Sequence, residues 1–312
     1  MNHVYVFPGQ GSQAVGMGRE LAENFPAARE VFEEVNDALN EDLTKLMFEG
    51  PENELTLTAN AQPALMAVSL AAFRVLQAER AFDLASDVRY VAGHSLGEYS
   101  ALAAVGSLSV GDAARLLRVR GQAMQEAVPV GIGGMAAVPL GLAEACMVAE
   151  EAAQGEVCSA ANDNAPKQVV LSGAIRALRR ALGIAEARGA RRSILLPVSA
   201  PFHCELMAPA AARLEEALRA VHLKDPCVPL ISNVTASTAE TAEEIRRLLV
   251  DQITSMVRWR ESVIRMIEDG VHTFVEVGAG KVLSGLVRRV DKSLSAVSLG
   301  TPAEIDAYLA TT

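Results

Sequence analysis

Val88-Arg89-Tyr90-Val91-Ala92-Gly93-His94-Ser95-Leu96-Gly97-Glu98-Tyr99-Ser100-Ala101-Leu102-Ala103-Ala104-Val105 is the stretch whose pattern decides the fold. Residues 88–92 read as a buried strand, and 98–105 read as a helix packed against it. Between them stands a turn of GxSxG form. Its glycines allow the strained strand-to-helix bend that lifts a serine hydroxyl clear of the backbone. Strands alternating with helices in this way build an α/β protein with a largely parallel sheet.

Working outward, Val4-Tyr5-Val6-Phe7 is a short β-prone run that ends in Pro8-Gly9-Gln10-Gly11, a second strand entering a glycine loop. Helices are expected over 27–39 and 63–80, with Pro63 in the first turn of the latter. The middle of the chain changes character. A glycine-rich joint, Pro129-Val130-Gly131-Ile132-Gly133-Gly134, is matched by a return at Pro197-Val198-Ser199-Ala200-Pro201. Between them the pattern gives strand 135–139, helix 142–153, strands 157–161 and 168–171, helix 175–188 and strand 193–196. That order is βαββαβ. The expected fold class is therefore α/β: an α/β-hydrolase-like large domain with a parallel sheet, residues 1–128 and 198–312, plus an inserted ferredoxin-like small domain, residues 129–197. A cleft between two such domains is a favoured place for a ligand.

Composition narrows the function classes. The chain has 312 residues, half of them hydrophobic and 21% charged, which excludes general disorder. A net charge of −10 argues against a nucleic-acid partner, since neutralising phosphates needs a basic face. Cys146, Cys158, Cys204 and Cys227 show no CxxC spacing and no paired histidine, so neither a metal site nor a disulfide framework is expected. The apolar run at 64–73 is too short to span a bilayer, and the start lacks a basic segment leading into an apolar one. A cytoplasmic protein without membrane association is expected.

Ser95 is the candidate nucleophile, with the N-terminus of the following helix supplying N–H groups and partial positive charge. A purely structural turn is the alternative. A serine needs a base, and there are five histidines. His94 lies inside the turn and is expected to point away from the attacking side of Ser95; His3 lies at the start of the chain; His222 and His272 read as surface or capping residues. His203 follows the proline-bounded return segment, but position alone leaves it in competition with the others. No acid between Ser95 and His203 reads as a third triad member. A main-chain carbonyl can orient a neutral imidazole instead, and this suffices more readily for a thiolate leaving group than for an amine.

Two glycine loops suggest nucleotides and fit poorly. Gly9-Gln10-Gly11-Ser12-Gln13-Ala14 has the GxGxxA form, yet Glu30 and Glu33 have helical period where the fingerprint requires an acid ending a second strand. In Gly278-Ala279-Gly280-Lys281, Val282 stands where a P-loop carries Ser or Thr.

Taken together, the chain resembles the bacterial malonyl-CoA:acyl carrier protein transacylases of fatty-acid synthesis, nearly end to end. The resemblance rests on Phe7-Pro8-Gly9-Gln10-Gly11-Ser12-Gln13, on Gly93 to Ala101, on Arg120-Gly121 with Met124-Gln125, and on Pro197-Val198-Ser199-Ala200-Pro201-Phe202-His203. It continues through Gln252 near Val257-Arg258-Trp259 to Glu276-Val277-Gly278-Ala279-Gly280-Lys281-Val282-Leu283. It implies Ser95 as the acylated nucleophile, His203 as base, and Gln252 orienting His203 through its carbonyl. The backbone N–H groups of Gln10 and Leu96 would form the oxyanion hole. Arg120 would grip the free malonyl carboxylate, although the residues alone read Arg115, Arg118 and Arg120 as a solvated helix face. Phe202, smaller in other members, would suit an unbranched malonyl unit. The partners implied are malonyl-CoA and an acidic acyl carrier protein, with no cofactor and a monomeric enzyme. Because this chain is also acidic, docking would need local positive charge. Arg191, Arg192, Lys281, Arg288 and Arg289 are the candidates, and the resemblance places Arg191 and Arg192 near the CoA phosphates. The competing readings are a serine esterase or thioesterase, a nucleotide-binding module, and a related acyltransferase serving a polyketide or malonate-decarboxylase carrier.

Overall fold

A computed structural model describes residues 3–80, 84–198 and 200–311; the first two residues and Ser199 of the return segment lie outside them. In chain order the strands are β1 (His3–Phe7), β2 (Val88–Gly93), β3 (Gly133–Val138), β4 (Cys158–Ala165) and β5 (Gln168–Ala174). They continue with β6 (Ile194–Leu195), β7 (Leu230–Ile231), β8 (Thr238–Ala239), β9 (Thr273–Val277) and β10 (Ser295–Leu299). They form two sheets, ordered β10-β9-β1-β2-β7-β8 and β4-β5-β3-β6. The first sheet is parallel except for β8, which returns antiparallel on β7. The second is antiparallel throughout.

The apolar run of β1 has no polar alternation because both faces of its sheet are covered. Tyr5 and Phe7 point to one face, where their rings meet Phe73 edge-on at 5.9 and 6.2 Å. Val4 and Val6 point to the other, into a cluster with Trp259 and Phe274. The second sheet also has two buried faces. Ala136, Val138, Val169 and Leu171 pack against the Leu142–Ala153 and Ile175–Ala187 helices, while Met135 and Val170 join the main core.

Two sequence expectations are corrected. The long helix runs Thr58–Glu79, so Pro63 lies inside it and not in its first turn. Proline has no N–H to give the Ala59 carbonyl, and that orphaned acceptor is met by Arg118 Nη1 at 2.8 Å. The expected strand at 157–161 runs on through Ala165 despite its polar Asn162-Asp163-Asn164. A distant segment holds it: Val257 N–H donates to Ala161 O at 2.8 Å, and Asp163 N–H donates to Val257 O at 2.9 Å. This fastens β4 to the parallel-sheet half of the molecule. The Pro26–Leu39 helix carries Glu30 and Glu33, so no second strand follows the first glycine loop as a dinucleotide site requires. Among the described residues, no helix is long and apolar enough to cross a membrane.

Candidate active site

The site lies beyond the carboxyl ends of β1 and β2, where open α/β sheets collect ligands. After Gly93 the chain turns through Ser95, at φ 54°, into the Gly97–Ala104 helix. Both glycines are dictated by close approach. A Cβ on Gly93 would sit 1.9 Å from the Gly97 carbonyl carbon, and one on Gly97 would sit 2.2 Å from Phe7 O. The strained serine is the mark of a nucleophile elbow.

Ser95 Oγ lies 2.8 Å from His203 Nε2. Of the five histidines, the fold brings this one to the serine. His203 is itself at φ 58°, and its Nδ1–H donates to the main-chain carbonyl of Gln252 at 2.9 Å. Burial pushes the imidazole down to about 3, with the nearby Arg120 charge acting in the same direction and the Gln252 carbonyl opposing. The ring is therefore neutral at physiological pH, with its Nε2 lone pair facing the serine. His94 also lines the cavity, with Nε2 2.8 Å from Asn164 Oδ1 and its ring 5.7 Å from that of Trp259.

Arg120, on the Val110–Glu126 helix, is 1% exposed, which overturns the solvated-face reading. Arg115 does stay outside, paired with Asp112. Arg120 Nη1 donates to Gln62 Oε1 at 2.8 Å; Nη2 donates to Gln252 Oε1 at 2.8 Å and to Ser95 Oγ at 3.0 Å. Its Nε–H is buried with no hydrogen-bond partner. An enclosed guanidinium with an unused donor, touching the nucleophile, has the chemistry of an anion receptor.

Behind these groups is a layer the sequence reading missed. Glu98 is buried; its Oε1 accepts Asn233 N–H at 2.6 Å and its Oε2 accepts Gln252 Nε2–H at 2.7 Å. Burial pushes this carboxyl up to about 8, against the pull of the Asn233 hydrogen bond, the Arg120 charge and Gln252. Asn233 Oδ1 accepts Ser95 N–H at 2.7 Å, and its Nδ2 donates to Gly93 O at 2.7 Å. The signal for Glu98 was present: every residue of the Gly97–Ala104 helix is buried, so its one acid had to be satisfied inside the protein. Asn233 and Gln62 carried no local signal.

A cavity of about 560 Å³ opens over Ser95. Gln10 and Leu96 line it, and among the described residues neither backbone N–H donates to a protein acceptor. Phe202, Met135, Val170 and Asn162 form part of the facing wall. Among the described residues no three His, Cys, Asp or Glu side chains converge as they would around a metal ion.

Comparison with known proteins matches residues 4–304 to the acyl transferase domain family. A Bacillus subtilis malonyl CoA-acyl carrier protein transacylase is 46% identical over 98% of this chain and 96% of its own length. The chain belongs to the malonyl-CoA:acyl carrier protein transacylase family. Two solved structures extend the likeness to three dimensions. An acyl-carrier-protein S-malonyltransferase from Bartonella henselae superposes with a TM-score of 0.96 at 51% identity, covering 100% of this chain and 99% of that one. A malonyl-transacylase in complex with its type II PKS acyl-carrier protein gives 0.96 at 41% identity, with both chains covered in full.

The docking residues expected for a member of this transacylase family lie apart. Arg191 and Arg192 are exposed in the turn between the Ile175–Ala187 helix and β6, and no ion pair involves them among the described residues. Lys281 pairs with Glu304 at 2.7 Å and shares a shallow groove with Arg288. Arg288 donates to Ala296 O, and Arg289 reaches Gln168.

Proposed function

We propose that the protein moves a malonyl group from malonyl-CoA to the phosphopantetheine thiol of an acyl carrier protein through a malonyl-Ser95 ester. The observation that carries this reading is the contact between Arg120 Nη2 and Ser95 Oγ, 3.0 Å long, both residues lining the same cavity. In malonyl thioesters one methylene separates the carboxylate from the reacting carbonyl. A cation touching the nucleophile therefore suits this short diacid, with the Ser95-directed Nη2–H passing to the carboxylate as substrate enters.

In the first half-reaction His203 Nε2 takes the Ser95 hydroxyl proton as Oγ attacks the thioester carbon. The tetrahedral oxyanion accepts hydrogen bonds from the N–H groups of Gln10 and Leu96. Its collapse breaks the C–S bond, and the CoA thiolate takes the proton back from His203. The second half-reaction is the reverse: His203 takes the carrier thiol proton, sulfur attacks the Ser95 ester, and the serine oxygen is reprotonated. A carboxylate on His203 is unnecessary because a thiolate leaves without strong acid assistance, so the Gln252 carbonyl is enough. No cofactor takes part. The malonyl carboxylate also offsets the Arg120 charge that holds His203 down, so the correct substrate strengthens its own base. Phe202 lines the cavity, and its bulk leaves less room there for a branched acyl group than for malonyl.

The antiparallel sheet order and its two helices support a ferredoxin-like unit spanning 129–197, inserted into an α/β-hydrolase-like domain of 1–128 and 198–312. The reading carries a cytoplasmic location, where CoA thioesters and their carriers are used, and a monomeric enzyme. A serine esterase would share the elbow but has no use for the buried Arg120. Steady-state rates with both substrates varied test the covalent route: parallel double-reciprocal lines are expected, and intersecting lines would rule it out.

Two predictions follow from charge. The depressed His203 pKa keeps its base form intact as pH falls. With acetyl-CoA, which brings no carboxylate, kcat/KM is expected to show no acid limb between about pH 8 and 5. A limb centred near 6.5, the ordinary histidine value, would contradict the buried neutral imidazole. Reversing Arg191 and Arg192 to glutamate is expected to raise the carrier KM about tenfold at low salt and to flatten its salt dependence. An unchanged salt profile would remove both from the docking surface.

A further inference from the structure

We propose that Glu98, which touches neither substrate nor Ser95 Oγ, is the positioning residue that keeps Arg120 aimed at the substrate carboxylate, acting through the side-chain amide of Gln252. This inference rests on the malonyl reading of the site and assigns the selectivity it requires to a residue outside the cavity wall.

Both Glu98 oxygens face N–H groups, Asn233 N–H at 2.6 Å and Gln252 Nε2–H at 2.7 Å. That is the arrangement of an ionised carboxylate, which accepts at both oxygens and donates at neither; the two N–H donors and the Arg120 charge oppose the burial that favours its neutral form. Glu98 Oε2 is the nearest of the acceptors that hold the Gln252 amide with Nε2 on that side, ahead of Ser95 O and of Asn233 Oδ1 at 3.4 Å, and its Oε1 must then point the other way. There it meets Arg120 Nη2 at 2.8 Å. Gln252 Nε2 also holds Ser95 O at 3.0 Å, tying the relay to the elbow. Glu98, Gln252 and Arg120 are each 1% exposed or less, so water cannot replace a lost partner.

Glutamine at position 98 would break the relay while keeping its volume. Its carbonyl would stay on the fixed Asn233 N–H, and its NH2 would face the Gln252 NH2. Relief requires the Gln252 amide to flip or swing away at the expense of its Ser95 O bond, and either movement takes Oε1 off Arg120 and removes the acceptor that fixes the guanidinium. The His203 contact survives, because it uses the Gln252 main-chain carbonyl and not the amide. Transfer of acyl groups lacking a carboxylate should therefore suffer much less than malonyl transfer. A merely structural Glu98 would slow both alike.

The test measures Ser95 acylation rates from malonyl-CoA and acetyl-CoA for wild type, Glu98→Gln, Arg120→Ala and the double variant, with thermal unfolding as the check of folding. Glu98→Gln is expected to lower the malonyl-to-acetyl preference roughly ten- to a hundredfold. In the Arg120→Ala background it should change the preference no further, since residues acting through one group are non-additive. Equal losses with both donors, or an additional loss in the double variant, would overturn the inference. Should Glu98→Gln not fold, Gln252→Met decides the matter. It removes the amide and keeps the main-chain carbonyl, so it must show the same selectivity loss, and unchanged selectivity would overturn the proposal. A wild type without malonyl preference would overturn the functional reading and this inference with it. A preference indifferent to Glu98→Gln would overturn the inference alone.

Discussion

His203→Asn is expected to lower the rate of Ser95 malonylation by about 10²–10⁴-fold, the usual worth of a positioned general base. Asparagine is the informative replacement because it tolerates the left-handed backbone at φ 58° better than alanine does. It can hydrogen-bond to Ser95 but cannot take up its proton. The loss should fall on kcat, since His203 Nε2 faces the serine 2.8 Å away and the group proposed to bind the carboxylate is Arg120, on the Val110–Glu126 helix. Rapid-quench measurement of the acyl-enzyme checks this. A variant that acylates at the wild-type rate would show that another group takes the proton; His94, which lines the same cavity, would be the first to examine.

Arg120→Ala is expected to cost malonyl transfer about 2–5 kcal/mol, or roughly thirtyfold to several-thousandfold, the range for truncating one member of a buried charge pair. Acetyl transfer should change little or improve. Its methyl group makes no use of the guanidinium, and removing that cation relieves the charge that depresses His203. The variant leaves Gln62 Oε1 and Gln252 Oε1 without their donor, so some loss of stability accompanies the change. Comparing kcat/KM for the two donors separates the effects, because instability acts on both equally. Equal losses with malonyl and acetyl would show that Arg120 does not hold the carboxylate.

Legibility in the sequence followed locality. The elbow could be read because its strand, its glycines and its helix lie within one short segment, and the same is true of the valine-rich β1. The Leu142–Ala153 helix falls on its expected residues because the residues that bound it, Gly141 before and the left-handed Gln154 and Gly155 after, are its immediate neighbours. Features fixed by distant partners could not be read. Pro63 sits inside a helix because Arg118 takes over the carbonyl it strands. β4 outruns its apolar stretch because Val257 pairs with it from another part of the chain. Arg120 reads as solvated since helical spacing cannot reveal that Gln62 and Gln252 wait to receive it. No acid between Ser95 and His203 reads as a triad member, although Glu98 lies in that interval, because it meets Gln252 and not the histidine ring. The buried carboxyl lies instead one turn after the nucleophile, on the far side of Gln252.

A covalent bond between Ser95 Oγ and the malonyl carbonyl carbon is the intermediate on which malonyl transfer depends. Wild-type protein mixed with malonyl-CoA and weighed intact should gain the mass of a single malonyl group, mapped by fragmentation to Ser95 and discharged on adding holo acyl carrier protein. An adduct that survives Ser95→Ala, or free malonate released as fast as CoA with no adduct accumulating, would contradict it.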